Sequence, residues 1–155
     1  NSTIQMILSE LKKREDVYVV IGESIIGKRL DVNENRVMIL RDYPNSMYFN
    51  AFDLAITAAG YNTFHELLYF GLPSILIPNE NTKTDDQVAR AMVAQNAGAA
   101  IVLREPKLDT FVSALEEALE PEINFSMRKA AEKLVKVNGA DQVAQLLLNI
   151  VSVKK

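Results

Sequence analysis

Cysteine is absent from the 155 residues. Disulfides, thiolate metal sites and thiol nucleophiles are therefore excluded. A single histidine, His65, rules out a multi-histidine metal site. There is no basic excess. Lys and Arg number 17 against 20 Asp and Glu, a net charge of −3, so nothing draws the chain to nucleic acid or anionic lipid. No apolar run reaches the roughly 18 residues of a membrane-spanning helix, and no signal peptide is visible. An initiator Met is missing too. The chain opens on Asn1-Ser2-Thr3 directly before a helical pattern, which reads as a piece cut from a longer protein.

What is present is ordinary for one globular domain spanning residues 1–155. Apolar residues make up 48% and charged residues 24%, enough for a real core. Ile4, Ile7, Leu8 and Leu11 recur at helical spacing, with Ser2 or Thr3 as the expected N-cap. Val17-Tyr18-Val19-Val20-Ile21 is a near-continuous apolar run ending at Gly22, as in a buried parallel strand. Further strands are predicted over 36–40, 54–57, 74–77 and 99–103, with a short helix or turn over 47–52. Helices are predicted over 62–70, 86–97, 109–119, 126–137 and 140–151. Gly71 is the expected cap of the first of these, with Leu72-Pro73 beyond it. Pro121 reads as a break before the last two helices. Val143, Leu146, Leu147 and Ile150 form the apolar stripe of the last one.

Strand and helix alternate through the middle, so the fold class is α/β. The expected form is a Rossmann-like, doubly wound parallel sheet. Ligands of such sheets sit beyond the C-terminal strand ends. Because the chain begins on a helix, the sheet is expected to lack its first strand.

Chemistry concentrates in residues 58–87. Gly60 follows the strand at 54–57. A residue without Cβ permits a sharp bend there and close approach of a ligand. The N–H groups of Tyr61 to Thr63 open a new helix and favour an anion. Asn62 and Thr63 add side-chain donors. Glu66 lies one turn on, on the same face. A carboxylate beside a phosphate makes sense as the acceptor for two ribose hydroxyls. Taken alone, Gly60-x-Asn62-Thr63 is more often a plain helix cap.

The neighbouring residues make the pattern more specific. Gly60-Tyr61-Asn62-Thr63-x-x-Glu66, then Gly71-Leu72-Pro73, then Asp86-Gln87 resembles the donor-nucleotide signature of GT-B glycosyltransferases. The region from Val17 to Leu103 resembles the C-terminal, donor-binding domain of the bacterial peptidoglycan-forming N-acetylglucosaminyltransferases in particular. Several spaced matches in one structural setting carry more than a lone glycine motif. The resemblance implies that Gly60, Asn62 and Thr63 hold the donor diphosphate and that Glu66 holds the ribose of a UDP-type donor. It implies that Asp86 and Gln87 reach donor-sugar hydroxyls, and that the backbone near Arg41, Asp42 and Tyr43 lines the base. It implies no catalytic residue in this half, no cofactor and no metal, in keeping with the lack of an Asp-x-Asp motif.

There are departures. The plant branch has a histidine two residues before the glycine, where this chain has Ala58; the bacterial branch lacks it as well. The loop before Asp86 is longer than in the plant enzymes and holds Asn79, Glu80, Asn81 and Lys83. Residues 1–3 would follow the glycine-rich first loop of such a domain, and its absence implies weakened donor binding and one open sheet position.

Other signals are weaker. His65 invites a catalytic-base reading, but neighbours on a helix point different ways, so packing or surface exposure is the better role. Gly22-Glu23-Ser24-Ile25-Ile26-Gly27-Lys28 resembles a phosphate loop but lacks Gly-Lys-Ser/Thr; Ser24 is at most a rim contact. Asp53 precedes its strand rather than ending it, so a receiver domain does not fit.

The expected function is the donor half of a glycosyltransferase moving a sugar from a UDP-sugar, first UDP-N-acetylglucosamine, to an acceptor hydroxyl. The expected partner is an N-terminal acceptor domain of the same chain, without which the domain is inactive. The expected location is cytoplasmic, with any membrane contact made through that other half. The alternatives are a nucleotide-sugar hydrolase or epimerase of the same fold, or a non-catalytic nucleotide-sugar-binding module.

Overall fold

A computed structural model describes residues 2–23, 35–81, 85–135 and 139–152. Helix α1 (Ser2–Leu11) leads into strands β1 (Val19–Gly22) and β2 (Val37–Leu40). A 3-10 helix (Asn45–Ala51) precedes β3 (Ala55–Thr57), α2 (Tyr61–Tyr69) and β4 (Ser74–Leu76). Then come α3 (Gln87–Asn96), β5 (Ala100–Val102), α4 (Leu108–Leu119), α5 (Pro121–Leu134) and α6 (Ala140–Ser152). All described strand pairs are parallel. Val19 pairs with Val37, Ala55 with Ser74, and Ser74 with Ala100.

β4 lies between β3 and β5 and buries all three of its residues. Alternation sends neighbouring side chains to opposite faces. Leu76 joins Phe64, Leu67, Leu68, Ala91 and Ala131 under α2, α3 and α5. Ile75 joins Ile7, Leu11, Phe111 and Leu115 under α1 and α4. An apolar layer on each face is what a doubly wound sheet requires. Val19 of β1 and Ile56 of β3 both pack on the second layer. Yet no described ladder joins β1–β2 to β3–β4–β5. The expected single sheet is thus two parallel ladders sharing one core.

Two helix starts and one helix face differ from expectation. Ser2 is already helical, so neither Ser2 nor Thr3 is the N-cap of α1. Pro121 starts α5 instead of breaking the chain. Proline is favoured at the first helical position, where its missing N–H has no intrahelical acceptor to lose. Leu146, Leu147 and Ile150 of the α6 stripe are exposed, and α6 buries no residue. The periodicity specifies a helix but supplies it with no neighbour. No described helix is long and apolar enough to cross a membrane.

The end of α2 is set by Gly71. Phe70 is the C-cap, and Gly71 follows at φ 62°. Its N–H donates to Leu68 at 3.1 Å and that of Leu72 to Leu67 at 2.9 Å, the paired bonds of a Schellman ending. An added Cβ would lie 3.0 Å from Cγ of Glu132, a flexible chain that can move aside, so the left-handed backbone supplies the strain. Gly71→Ala is expected to destabilise the domain by about 1–2 kcal/mol. Urea denaturation checks this, with nucleotide affinity unchanged.

Candidate functional site

β3, the loop after β2 and the start of α3 converge on the N-terminus of α2. Gly60 is the N-cap of α2 at φ −61° and ψ 146°. Any residue adopts that conformation, so the expected need for glycine to make a sharp bend is not met. The other half of the expectation concerns space. A Cβ on Gly60 would meet nothing within 4 Å, so the corner opens onto room for a ligand. Among the described residues no side chain caps α2, and no acidic residue occupies its first turn. α5 lacks a side-chain cap as well but carries Glu122 in its first turn, and α3 and α4 have side-chain bonds at their starts. Asp86 caps α3 by accepting from the Ala89 N–H at 2.9 Å. Near the start of α4, Thr110 Oγ1 accepts from the Lys107 N–H at 3.0 Å. The first-turn donors of α2 therefore face an unneutralised end of a helix dipole. Asn62 is exposed and Thr63 half-buried on that turn.

Glu66 is half-buried one turn further in. Its Oε1 accepts a bond from Ser46 Oγ at 3.0 Å. Ser46 belongs to the 3-10 helix and is buried, so the segment after β2 is brought against α2. In that segment the side chains of Arg41, Asp42 and Tyr43 are engaged with each other's surroundings. Arg41 Nε lies 3.0 Å from Oε2 of Glu23. Glu23 is 3% exposed, and such a buried carboxylate requires a partner. The Tyr43 hydroxyl donates to the Glu23 carbonyl. Asp42 accepts from the Tyr43 N–H at 3.0 Å and from the Tyr48 hydroxyl. The bond to Asp42 raises the pKa of the Tyr48 phenol above its ordinary value. The side chains of residues 41–43 are thus engaged within the protein.

Asp86 and Gln87 stand at the start of α3. Asp86 is exposed and spends Oδ1 on its cap. Gln87 is buried and turned into its own loop. Its Oε1 accepts from the Asn79 N–H at 3.0 Å, and its Nε2 donates to Asp85 at 3.2 Å. A long loop needs its backbone donors satisfied, and Gln87 does this for Asn79. Glu80 makes a forked pair with Arg104 at 2.8 and 2.9 Å, and the Asn81 N–H donates to Asn79 Oδ1. Ser24 and Lys83 lie outside the described residues.

Arg90, which the sequence did not flag, ties these parts together. Its Nη1 donates to the Ala59 carbonyl at 2.5 Å, one residue before Gly60. Its Nη2 pairs with Asp85. Its guanidinium lies 5.4 Å from the centroid of the Tyr61 ring, within cation–π range. The bond from Arg90 holds the Asp85 carboxyl below its ordinary range, against a smaller opposing effect of desolvation. A depressed folded pKa means that the clasp's contribution is fully present above the ordinary carboxylate range and is lost as pH falls through the depressed value. Arg90→Met is expected to raise the Asp85 pKa from its depressed position, followed by carboxyl carbon NMR shifts. His65 is exposed and packs on Tyr61, ring centroids 4.6 Å apart.

The model for the glycosyltransferase family 28 C-terminal domain matches residues 1–147. The chain is 29% identical to the UDP-N-acetylglucosamine–N-acetylmuramyl-(pentapeptide) pyrophosphoryl-undecaprenol N-acetylglucosamine transferase of Bacillus licheniformis, over 97% of this chain and 43% of that protein. It is 27% identical to the protein of the same name from Thermotoga maritima, over 96% of this chain and 42% of that protein. The chain thus spans less than half the length of these relatives. Among solved structures, a glycotransferase of kitacinnamycin superposes with a TM-score of 0.73 at 20% identity, covering 96% of this chain and 39% of that one. MurG of Acinetobacter baumannii gives 0.64 at 19% identity, covering 73% of this chain and 33% of that one. At these identities the likeness is one of fold: a Rossmann-like α/β domain.

Proposed function

Because the chain belongs to the glycosyltransferase family 28 C-terminal domains, we propose that it binds the nucleotide-sugar donor of a GT-B glycosyltransferase. One observation carries the reading. The uncapped N-terminus of α2 opens beside Gly60, with Glu66 one turn further in. A diphosphate fits the first feature and a ribose the second. The donor is a UDP-sugar, and UDP-N-acetylglucosamine comes first because the relatives from Bacillus licheniformis and Thermotoga maritima are named for that substrate.

In transfer, the bond between the anomeric carbon and the diphosphate oxygen breaks as an acceptor hydroxyl oxygen attacks that carbon. Negative charge grows on the departing UDP. The N–H groups of Tyr61 to Thr63 stabilise it without a metal, as fixed dipoles do for any developing oxyanion. Gly60 allows the phosphate to approach, and Asn62 and Thr63 add donors. Arg90 fixes the corner through the Ala59 carbonyl. Asp86 reaches the sugar, and Gln87 keeps the loop that presents it. The backbone of residues 41–43 lines the uracil. The acceptor and the catalytic base are supplied by an N-terminal domain, which accounts for the greater length of the relatives. The enzyme works on the cytoplasmic side, with any membrane contact made by that other domain.

Ligand-observed NMR on the 155-residue chain with UDP, ADP, GDP and UMP at millimolar concentration tests this. Selective binding of UDP is expected. Equal binding of all four would mean a generic anion site and end the assignment.

A further inference from the structure

We propose that Ser46 is the positioning residue that sets the Glu66 carboxylate for the ribose, so that sugar recognition is controlled from the base-lining segment. The proposal rests on the ribose role given to Glu66 above. Ser46 is 8% exposed, and its Oγ lies 3.0 Å from Oε1 of Glu66. An ionised carboxylate can only accept, so the hydroxyl donates. That bond occupies one oxygen and leaves Oε2 for ligand hydroxyls. The two residues are 20 apart in sequence and belong to different elements. Ser46 follows Tyr43 by three positions, in the 3-10 helix Asn45–Ala51. Glu66 sits on α2.

A half-buried glutamate without a partner samples several rotamers and must be ordered when ribose binds. A bond already made in the free protein removes that cost, which is the meaning of preorganisation. Ser46 also follows, three positions on, the residues proposed to touch the base. A base seated against residues 41–43 therefore bears on the carboxylate that reads the sugar.

The test compares UDP with 2′-deoxy-UDP by NMR titration on the 155-residue chain. Wild type is expected to prefer UDP by about tenfold, the value of one lost hydrogen bond to a charged group. In Ser46→Ala that preference is expected to fall to about threefold or less, mostly through weaker UDP binding. Ser46→Thr keeps the hydroxyl and is expected to keep the preference. In a Glu66→Ala background, Ser46→Ala is expected to change neither affinity. Thermal melting of each variant reports folding separately.

A merely structural serine would weaken UDP and 2′-deoxy-UDP by the same factor. That result, or an unchanged preference in Ser46→Ala, overturns the proposal and leaves the donor reading intact. If wild type binds UDP and 2′-deoxy-UDP equally, the ribose role of Glu66 fails first and this inference falls with it.

Discussion

Glu66→Ala is expected to weaken UDP binding by about 100-fold, or about 2.7 kcal/mol. A carboxylate that accepts from two ribose hydroxyls makes two charge-assisted bonds. Each is worth about 1.5–3 kcal/mol, and part is recovered when water takes its place. The fold should survive. Glu66 is half-buried on an exposed-to-core boundary of α2, and alanine is the best helix former. The side effect is Ser46, whose buried hydroxyl loses its acceptor, a cost of about 1 kcal/mol. Isothermal calorimetry with UDP and UMP separates the contributions. Both nucleotides carry the ribose, so both should weaken and the preference for UDP over UMP should remain.

Gly60→Val is expected to do the reverse. The new side chain would occupy the open space at the corner, where a Cβ meets no atom of the described residues within 4 Å. The backbone there, φ −61° and ψ 146°, suits valine without strain. Valine is a poorer N-cap than glycine, by about 1 kcal/mol, so melting should fall by only about 3 °C. A diphosphate, however, could no longer reach the N–H groups of Tyr61 to Thr63. UDP is expected to drop by about 30–100-fold, to the level of UMP. If Gly60→Val instead unfolds the domain and a refolded fraction binds UDP normally, the glycine serves the backbone alone and the diphosphate site lies elsewhere.

These two variants act on residues that were visible in the sequence, and the reason is local. Gly60, Asn62, Thr63 and Glu66 fall within two helical turns, so spacing alone puts them together. The same holds for the strand–helix alternation and for Gly71, whose place before Leu72-Pro73 marks a helix end. Pro121 is ambiguous in the sequence because proline both stops helices and starts them, and only the helix that follows tells which. The glycine at position 60 was assigned a bend that its φ does not need. The contacts that escaped are those between distant residues. Ser46 finds Glu66 across 20 residues, Arg41 finds Glu23 across 18, and Arg90 finds Ala59 across 31. No periodicity encodes a side-chain bond between separate elements. Gln87 shows the same limit from the other side. Its identity fitted a sugar contact, but the loop's need for an acceptor at Asn79 engages its side chain.

The most direct measurement is a nitrogen–proton amide NMR titration of the 155-residue chain with UDP. The largest shifts are expected at the amides of Tyr61, Asn62 and Thr63, with smaller ones at Glu66 and residues 41–43. A second place with cations is a cavity of about 210 Å³ where Lys12, Arg14 and Arg36 gather beside Val17, Val19 and Val37, with Arg14 already paired to Asp16 at 2.9 Å. It lies where β1 and β2 begin, away from the strand ends that carry the proposed site. Shifts centred on those three cations, with Tyr61 to Thr63 unmoved, would contradict a donor site at the start of α2.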